Sequence, residues 1–301
     1  MTDAQRAKAF RAARAEVLKF RTQIQRATAG EITRLLKEAQ DHIRTILASA
    51  PSDYQNWALP QLQKSIVAAL DDFESAAASR IGTAAGTSWE AGQSLVDAPI
   101  TAGGVRIAAV LPGIDNRQLL AMRTFMTGRI ADISSTVAGR INAQLGLVII
   151  GSQSPSDAIS AVDGLIDGGR TRAITIVRTE LGRAFSVAAD ERMSQASEIL
   201  PGLKKQWRRS GKIHSRLHHD SIDGQIVAQD EPFTLGNGVR IMFPRDPAAP
   251  VAEVINCGCE SLPYMDSWDV KNPGRVPFSD DELRLSATKR ALRDSGFDAA
   301  A

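Results

Sequence analysis

The sequence contains few aromatic residues and no long apolar run. Phe, Tyr and Trp make up 5% of the 301 residues, which favours long helices packed through small side chains over a β-sandwich. No apolar run approaches the roughly 18–20 residues that cross a bilayer. The first ten residues, MTDAQRAKAF, include several charges, unlike a secretory signal. We therefore expect no membrane partner.

Cysteine is scarce, and charge of either sign is not in excess. Two cysteines in 301 residues exclude a disulfide framework and fit a reducing cytoplasm. A net charge of +2 with 23% charged residues is ordinary for a soluble globular protein. Any preference for a charged partner must therefore come from local clusters, and the length allows two domains.

Apolar residues recur at helical spacing through most of the first 200 residues. One stripe begins at Phe10, and a second helix is predicted after Gly30. Prolines and glycines predict a break over 97–115, and another long stripe begins at Leu119. Helices of this length typically pack as an extended bundle.

Two further helices are predicted before residue 200. Ser154 has the character of an N-cap, and Pro155 suits the first helical position. Gly168 and Gly169 predict the end of this short helix, and the next helix is predicted over residues 170–198.

After residue 200 the pattern becomes strand-like. β-prone runs flank a Gly-Asn-Gly hairpin turn at 236–238, and Ser279 is the predicted N-cap of a last short helix. The sequence thus predicts a mostly α protein whose extended helical bundle precedes a small α+β domain. The predicted ranges are 1–200 for the helical region, 201–265 for the α+β domain, and 266–301 for a linker and the short helix.

Rare polar residues concentrate between positions 207 and 259. This window holds three of the four histidines and both cysteines, more than a plain apolar core would contain. In chain order the landmarks are Trp207, Arg216-Leu217-His218-His219, Asp223-Gly224, Pro244-Arg245-Asp246-Pro247 and Asn256-Cys257-Gly258-Cys259.

This order resembles the Mu F-like family of phage minor head proteins, also called phage head morphogenesis proteins. The family reads as a Trp, then Arg-x-x-His-x-x-hydrophobic-Asp-Gly, then Pro-x-Asp-Pro, then Asn-Cys-Arg-Cys. The matching residues here are Trp207, then Arg216, His219, Asp223 and Gly224, then Pro244, Asp246 and Pro247, then Asn256, Cys257 and Cys259. Arg178-Thr179-Glu180 also resembles the helix that precedes the family's domain. Two positions depart from the pattern: Gly258 replaces the usual Arg, and His214 stands where a basic residue is common.

The resemblance, which covers residues 170–264, implies a minor capsid protein of the virion. Such a protein would act in head assembly at the portal vertex, and in DNA packaging or ejection, by binding and without catalysis. The implied partners are the portal protein and the scaffold or major capsid protein. The implied location is the capsid interior at the portal vertex, after assembly in the host cytoplasm.

The cysteines and histidines are candidate metal ligands. Only one residue separates Cys257 from Cys259, so a disulfide between them would be strained. On a strand their sulfurs would share one face, about 7 Å apart along the backbone, and could bind zinc together with His219 and one of His214 or His218. Structural zinc motifs usually have two to four residues between such cysteines. A metal-free polar network is therefore the competing interpretation.

A basic segment lies just before this cluster. Residues 203–219 contain no acidic residue, a pattern typical of sequence-independent contact with the phosphates of double-stranded DNA. A solvated surface without a partner is the competing interpretation. The candidate DNA-binding residues are Lys204, Lys205, Arg208, Arg209, Lys212 and Arg216.

Catalysis has little support in the sequence. His219 and Asp223 have the i, i+4 spacing of a helical pair, but no nucleophile motif, phosphate loop or carboxylate cluster accompanies them. We therefore predict no enzyme activity. The alternatives to a head protein are a zinc-stabilised nucleic-acid-binding module unrelated to virions and, with less support, an enzyme or toxin-like effector.

Overall fold

The chain is mostly α-helical, with a small antiparallel sheet near its C-terminal end, as the sequence predicts. The computed structural model describes residues 2–49, 59–105, 111–150, 152–266 and 274–296. The elements are α1 (Asp3–Ala48), α2 (Leu59–Ala102), α3 (Arg117–Ile149), α4 (Pro155–Ile199), β1 (Leu203–Arg208), α5 (Leu217–Asp220), β2 (Ile226–Ala228), β3 (Phe233–Thr234), β4 (Arg240–Ile241), α6 (Val251–Val254), β5 (Glu260–Met265), α7 (Asp280–Leu285) and α8 (Ala287–Asp294).

Two of the predicted helix breaks are wrong. Gly30 lies inside α1, and the Gly168–Gly169 pair lies inside α4. An interior glycine costs a helix only about 0.5–1 kcal/mol relative to alanine, less than the burial of one large apolar side chain contributes. At Gly169 a Cβ would lie 3.3 Å from the side chains of Ile133 and Val137. The small residue therefore allows α4 to approach α3 closely.

The chain divides into two compact units. The first unit comprises residues 1–23, 87–116 and 181–301, and the second comprises residues 24–86 and 117–180. All described elements of the second unit are helical, and its interior is an apolar stripe from each helix. Members of this interior are Ile32, Leu36, Ile43, Ile66, Leu70, Phe73, Met126, Ile130, Ile133, Val137, Ile141, Val162 and Ile166.

In the first unit, α2 and α4 pack together, and an apolar cluster of Val96, Ile100, Met193 and Ala196 also includes Leu203 of the sheet. At Gly92 a Cβ would lie 2.3 Å from the carbonyl oxygen of Phe185, so only glycine permits this approach of α2 to α4. The two helices are also joined by Arg192, whose Nε and Nη2 donate to the two carboxylate oxygens of Asp97 at 2.8 Å each. This paired contact is the stronger, bidentate kind.

The sheet has strand order β2-β1-β5, and both pairings are antiparallel. Trp207 on β1 is paired with Ser261 on β5, and its side chain is fully buried in a small apolar cluster. β3 and β4 form a hairpin around the predicted turn at 236–238, so that prediction is confirmed. The cluster around Trp207 consists of Ile222, Phe233, Leu235, Ile241, Cys257 and Cys259.

The C-terminal helices begin at defined caps. Ser279 caps α7 in a capping box with Glu282, as predicted, and Ser286 caps α8 by accepting the backbone N–H of Lys289. Residues 267–273, part of the predicted linker, lie outside the described residues. Among the helices that the structure describes, none is both long and apolar enough for a membrane span.

Candidate metal centre

His219, Cys257 and Cys259 lie together in the interior of the first unit. His219 is on the single-turn helix α5, and the cysteines lie between α6 and β5. Their exposed fractions are 1%, 6% and 2%. Trp207 holds α5 in place, because its Nε1 donates to the His219 carbonyl at 3.0 Å and the two rings meet edge to face. Solvent therefore has little access to the three candidate ligands.

Nδ1 of His219 faces both sulfurs. It lies 3.6 Å from Cys257 Sγ and 3.7 Å from Cys259 Sγ, and the three ligand atoms lie within 4.8 Å of one another. A zinc ion about 2.3 Å from sulfur and about 2.0 Å from nitrogen, with tetrahedral angles, separates the two atom types by about 3.6 Å. The donor set and its spacing therefore fit a metal ion of this size.

The backbone brings the sulfurs together in a way that a strand would not. Cys257 and Cys259 precede β5 and do not belong to it, and Asn256 has a left-handed conformation with φ of 55°, which Asn tolerates better than most residues. The geometry that a strand would give this Cys-x-Cys pair therefore does not apply here. The two sulfurs lie within 4.8 Å of each other, closer than the repeat of about 7 Å along a strand would place them.

Glu253 on α6 is the second partner of His219. Its Oε2 lies 2.8 Å from His219 Nε2 and 2.7 Å from His218 Nε2. Its Oε1 accepts from Asn237 Nδ2 at 3.0 Å. Burial of this carboxylate raises its pKa, but the bonds from the two histidines and Asn237 more than offset it and lower the pKa of Glu253 to about 2. Glu253 is therefore ionised at neutral pH.

Two arginines, the buried Arg245 and the partly buried Arg21, set the electrostatics around the cysteines. Arg245 donates to the Cys257 carbonyl at 2.8 Å, to Ser186 Oγ at 2.6 Å and to both carboxylate oxygens of Glu260 at 3.0 Å. Arg21 also forms an ion pair with Glu260. Glu260 can balance only one of the two guanidinium charges, so the remaining positive charge favours a thiolate nearby.

The two thiols respond to each other and to this charge. Their mutual hydrogen bond lowers the pKa of Cys257 well below its usual value, and His219 and Arg245 add to this effect. The same hydrogen bond and burial raise the pKa of Cys259. The pair therefore holds one thiolate readily, and a thiolate is the form in which cysteine binds metals.

The structure separates the other two histidines from the cysteines. His214 is exposed and does not belong to any group of candidate ligands found in the described residues, so its prediction as a metal ligand is not supported. His218 belongs to a second group, formed with His219 and Glu253. Its contact is with the carboxylate and not with sulfur.

Three of the six predicted DNA-binding side chains are directed into the protein. Lys205 is fully buried, with Nζ donating to the Met242 carbonyl at 2.8 Å. Arg209 is buried, with Nη1 2.5 Å from Glu282 Oε1. Arg208 lies 3.0 Å from Asp223 Oδ2. For Lys205 and Arg209 the prediction of a DNA contact is wrong, because a buried cation does not reach a phosphate.

The other three cations are nearer the surface and also have partners within the chain. Lys204 Nζ lies 2.5 Å from Asp266 Oδ2. Lys212 Nζ donates to the Asn256 carbonyl at 2.5 Å, and Arg216 Nη2 donates to the Ile255 carbonyl at 2.7 Å. These are contacts to an exposed carboxylate and to carbonyls, so the positive charge stays close to solvent.

Several residues of the predicted motif are structural. Asp223 accepts the backbone N–H groups of Arg209 at 2.9 Å and Val276 at 2.7 Å. Gly224 has φ of +83°, and a Cβ there would lie 2.2 Å from the Gly274 carbonyl oxygen, so the predicted turn requires glycine.

The Pro-x-Asp-Pro turn is closed by Asp246. Its side chain accepts the backbone N–H groups of Met242 at 2.9 Å and Ala248 at 2.8 Å. Pro244 is buried and Pro247 is exposed. Between them Arg245 has φ of 70°, and its side chain enters the interior.

At Gly258, where the family has Arg, a Cβ would lie 2.9 Å from Lys212 Cε and Ser210 Cβ. A side chain at position 258 would therefore have to displace the side chains of Lys212 and Ser210.

Sequence reasoning missed Glu253 and Arg245. Glu253 is the only charged residue between Pro247 and Asn256. A lone carboxylate in an uncharged segment is a signal that it has a specific partner. Arg245 occupies the variable position of the Pro-x-Asp-Pro turn, where nothing in the sequence distinguishes a buried cation from an exposed one.

Comparison with known proteins gives partial matches. The chain is 39% identical over 118 residues to the uncharacterised protein YqbB of Bacillus subtilis (strain 168), covering 38% of this chain and 37% of that protein. It is 34% identical over 95 residues to the NAD(+)–arginine ADP-ribosyltransferase EFV of Enterococcus faecalis (strain ATCC 700802 / V583), covering 32% of this chain and 19% of that protein. The matches thus span well under half of either relative. No protein-family profile matches the chain, and no solved structure does.

Proposed function

We propose that the chain is a phage minor head protein that acts in head assembly at the portal vertex by binding other components. The observation that carries this proposal is the role of the family-like residues in the first unit. Trp207, Asp223, Gly224 and Asp246 each make contacts that hold backbone segments together. Motif residues that stabilise the backbone in this way support a domain that acts by binding partners through its surface.

The geometry favours binding over catalysis. Cys257, His219 and Glu253 have the order of a nucleophile, a base and its orienting carboxylate. However, the cysteine and the histidine have exposed fractions of 6% and 1%, which leaves a substrate no access. The match to the ADP-ribosyltransferase covers 19% of that protein, too little to carry its activity to this chain.

The proposed partners are the portal protein and the scaffold or major capsid protein, inside the head. Purified heads from a host that produces this chain should contain it, as detected by mass spectrometry. Deletion of its gene should give heads that fail to assemble or that lack DNA. Heads of normal composition and infectivity without this chain would reject the proposal.

The proposed contact with double-stranded DNA is sequence-independent and restricted to the outer cations of the basic segment. Replacing Lys204, Lys212 and Arg216 with Ala should weaken binding to a random duplex and reduce its salt dependence. A matched control replaces Lys37, Arg129 and Arg140, three exposed cations elsewhere. Equal loss in both triple variants would show that the effect is one of net charge. No loss in the first variant would remove DNA contact from the proposal.

We also propose that His219, Cys257 and Cys259 together bind a zinc ion. Two thiolates and an imidazole are ligands that zinc accepts, and a buried position suits a structural ion. Bound zinc would tie α5 to the segment before β5. It would thus stabilise a region whose own apolar cluster is small. A zinc-stabilised nucleic-acid-binding module is the second candidate function, supported by this site and the basic segment together.

Metal analysis of the purified chain tests the zinc proposal. About one zinc per chain is expected, with both thiols protected from a thiol reagent until a chelator is added. The Cys257→Ser, Cys259→Ser double variant should contain no zinc. If the native chain contains no metal and its folded form takes up neither zinc nor cobalt, the residues form a metal-free network.

A further inference from the structure

We propose that Glu253 is the positioning residue of this centre: it fixes the His219 ring so that Nδ1 is the metal-binding nitrogen. This inference rests on the zinc proposal and adds to it the residue that orients the ligand. Glu253 does not contact the sulfurs among its described partners, which are His218, His219 and Asn237. Its effect on the ion would therefore pass through His219.

Hydrogen-bond chemistry determines which nitrogen of His219 is available. Carboxylate oxygens accept hydrogen bonds, and Oε2 of Glu253 is shared by two imidazole nitrogens, so Nε2 of His219, 2.8 Å away, is assigned as the donor. In the neutral ring the lone pair is then on Nδ1. Nδ1 is also the atom that faces Cys257 and Cys259. The tautomer and the orientation of the ring therefore both identify Nδ1 as the metal-binding atom.

Glu253 is itself held firmly enough to orient another side chain. Its side chain is 8% exposed. One of its oxygens accepts from two histidines, and the other accepts from Asn237. Asn237 lies in the turn between β3 and β4, so the carboxylate joins that turn to α5. A histidine ligand whose second nitrogen donates to a fixed carboxylate is the usual arrangement around protein-bound metals.

His218 offers an internal comparison for this role. It contacts the same oxygen as His219, at 2.7 Å, but its side chain is 30% exposed and it is not grouped with the cysteines. If Glu253 acts by orienting His219, removal of His218 should lower zinc affinity much less than removal of Glu253 does. If Glu253 and the two histidines instead act only by balancing charge, removal of His218 and removal of Glu253 should lower zinc affinity by similar factors.

The test measures zinc affinity of the full chain by competition with a chromophoric chelator. Glu253→Ala should lower the affinity about 10- to 100-fold, the usual effect of losing such a partner. Glu253→Gln keeps an acceptor oxygen and should recover part of that loss. His218→Ala, which removes one of the three side chains that hold Glu253, should lower the affinity less than Glu253→Ala does, and the exposed control Glu231→Ala should stay within about threefold of the native chain. Circular dichroism confirms folding of each variant, and Glu253→Gln keeps the test informative if Glu253→Ala does not fold.

A spectroscopic measurement separates positioning from general stabilisation. Long-range proton–nitrogen NMR of the histidine side chains should show Nε2 of His219 protonated and Nδ1 shifted by zinc in the native chain. In Glu253→Ala that single state should be lost. Native-like affinity and an unchanged His219 tautomer in folded Glu253 variants would overturn the positioning role and leave the zinc site intact. Failure of the native chain to bind zinc or cobalt would overturn both proposals.

Discussion

The second unit and the sheet-bearing part of the first unit are stabilised in different ways. The buried large side chains of the second unit are almost all aliphatic, such as Ile43 and Ile133. Between Leu203 and Asp294 the buried residues instead include cations and anions, such as Arg245 and Glu282. An apolar interior tolerates small changes, because each contact contributes a little. A buried ion that loses its partner is destabilising by several kcal/mol.

The largest expected effect is at Arg245, whose guanidinium joins Ser186, Cys257 and Glu260. Arg245→Ala should lower the free energy of unfolding of the first unit by about 4 kcal/mol, because the buried Ser186 hydroxyl and Cys257 carbonyl lose their donor and Glu260 keeps only Arg21. Hydrogen exchange followed by mass spectrometry should show lost protection in β1 and β5 with little change in α3. As a control, Ile133→Val should cost only about 1 kcal/mol. Equal costs for the two variants would remove the contrast between the two regions.

A smaller effect is expected at Glu282, which lies 2.5 Å from Arg209 and 2.6 Å from Lys289. Burial acts to raise its pKa, but the bonds from the two cations more than offset it and lower the pKa of Glu282 to about 2. Since the folded pKa is below the unfolded one, the stabilisation is present above about pH 4.5 and is lost as the pH falls towards 2.

Glu282→Gln should therefore cost about 3 kcal/mol at pH 7 and progressively less as the pH falls below 4.5. Urea unfolding at a series of pH values measures the difference from the native chain. Glu231→Gln, at an exposed acid, is the matched control and should have almost no effect at any pH. A cost for Glu282→Gln that does not change with pH would contradict the assigned ion pairs.

The smallest effect is expected in the second unit, and it has the opposite sign. Gly128 lies within α3, and a Cβ there would meet nothing within 4 Å. Gly128→Ala should stabilise the unit by about 0.5–1 kcal/mol, because alanine loses less backbone entropy on folding. Thermal unfolding measures the gain. Gly92→Ala is the informative contrast and should destabilise, because its Cβ would meet the carbonyl of Phe185.

Sequence reasoning was strongest for features with local causes. Helical periodicity indicated the mostly α class, the Gly-Asn-Gly turn at 236–238 indicated the hairpin, and Ser279 indicated the start of α7. The errors also have local causes. Gly30 and Gly168 predict helix ends, because helix propensity alone does not include the tertiary packing that compensates for an interior glycine.

Only part of the candidate site could be predicted from the sequence, because local patterns do not reveal tertiary contacts. Cysteine and histidine are rare, so their clustering at 257, 259 and 219 was visible in the sequence. Glu253 and Arg245 are ordinary charged residues whose roles depend on long-range contacts. Lys205 and Arg209 belong to a basic segment, and a one-dimensional pattern does not reveal that their carboxylate partners, Asp190 and Glu282, approach from distant positions.

The burial of Arg209 has a consequence for the order of events during synthesis. Its guanidinium donates to the carbonyl of Pro277 and to Glu282, and the ring of Phe278 lies against it. On the ribosome Arg209 emerges well before these partners, so β1 cannot reach its final environment until α7 has been made. A fragment that ends at residue 265, the predicted boundary of the small domain, would leave this charge without Pro277, Phe278 and Glu282. Fragments for expression should therefore extend through α8.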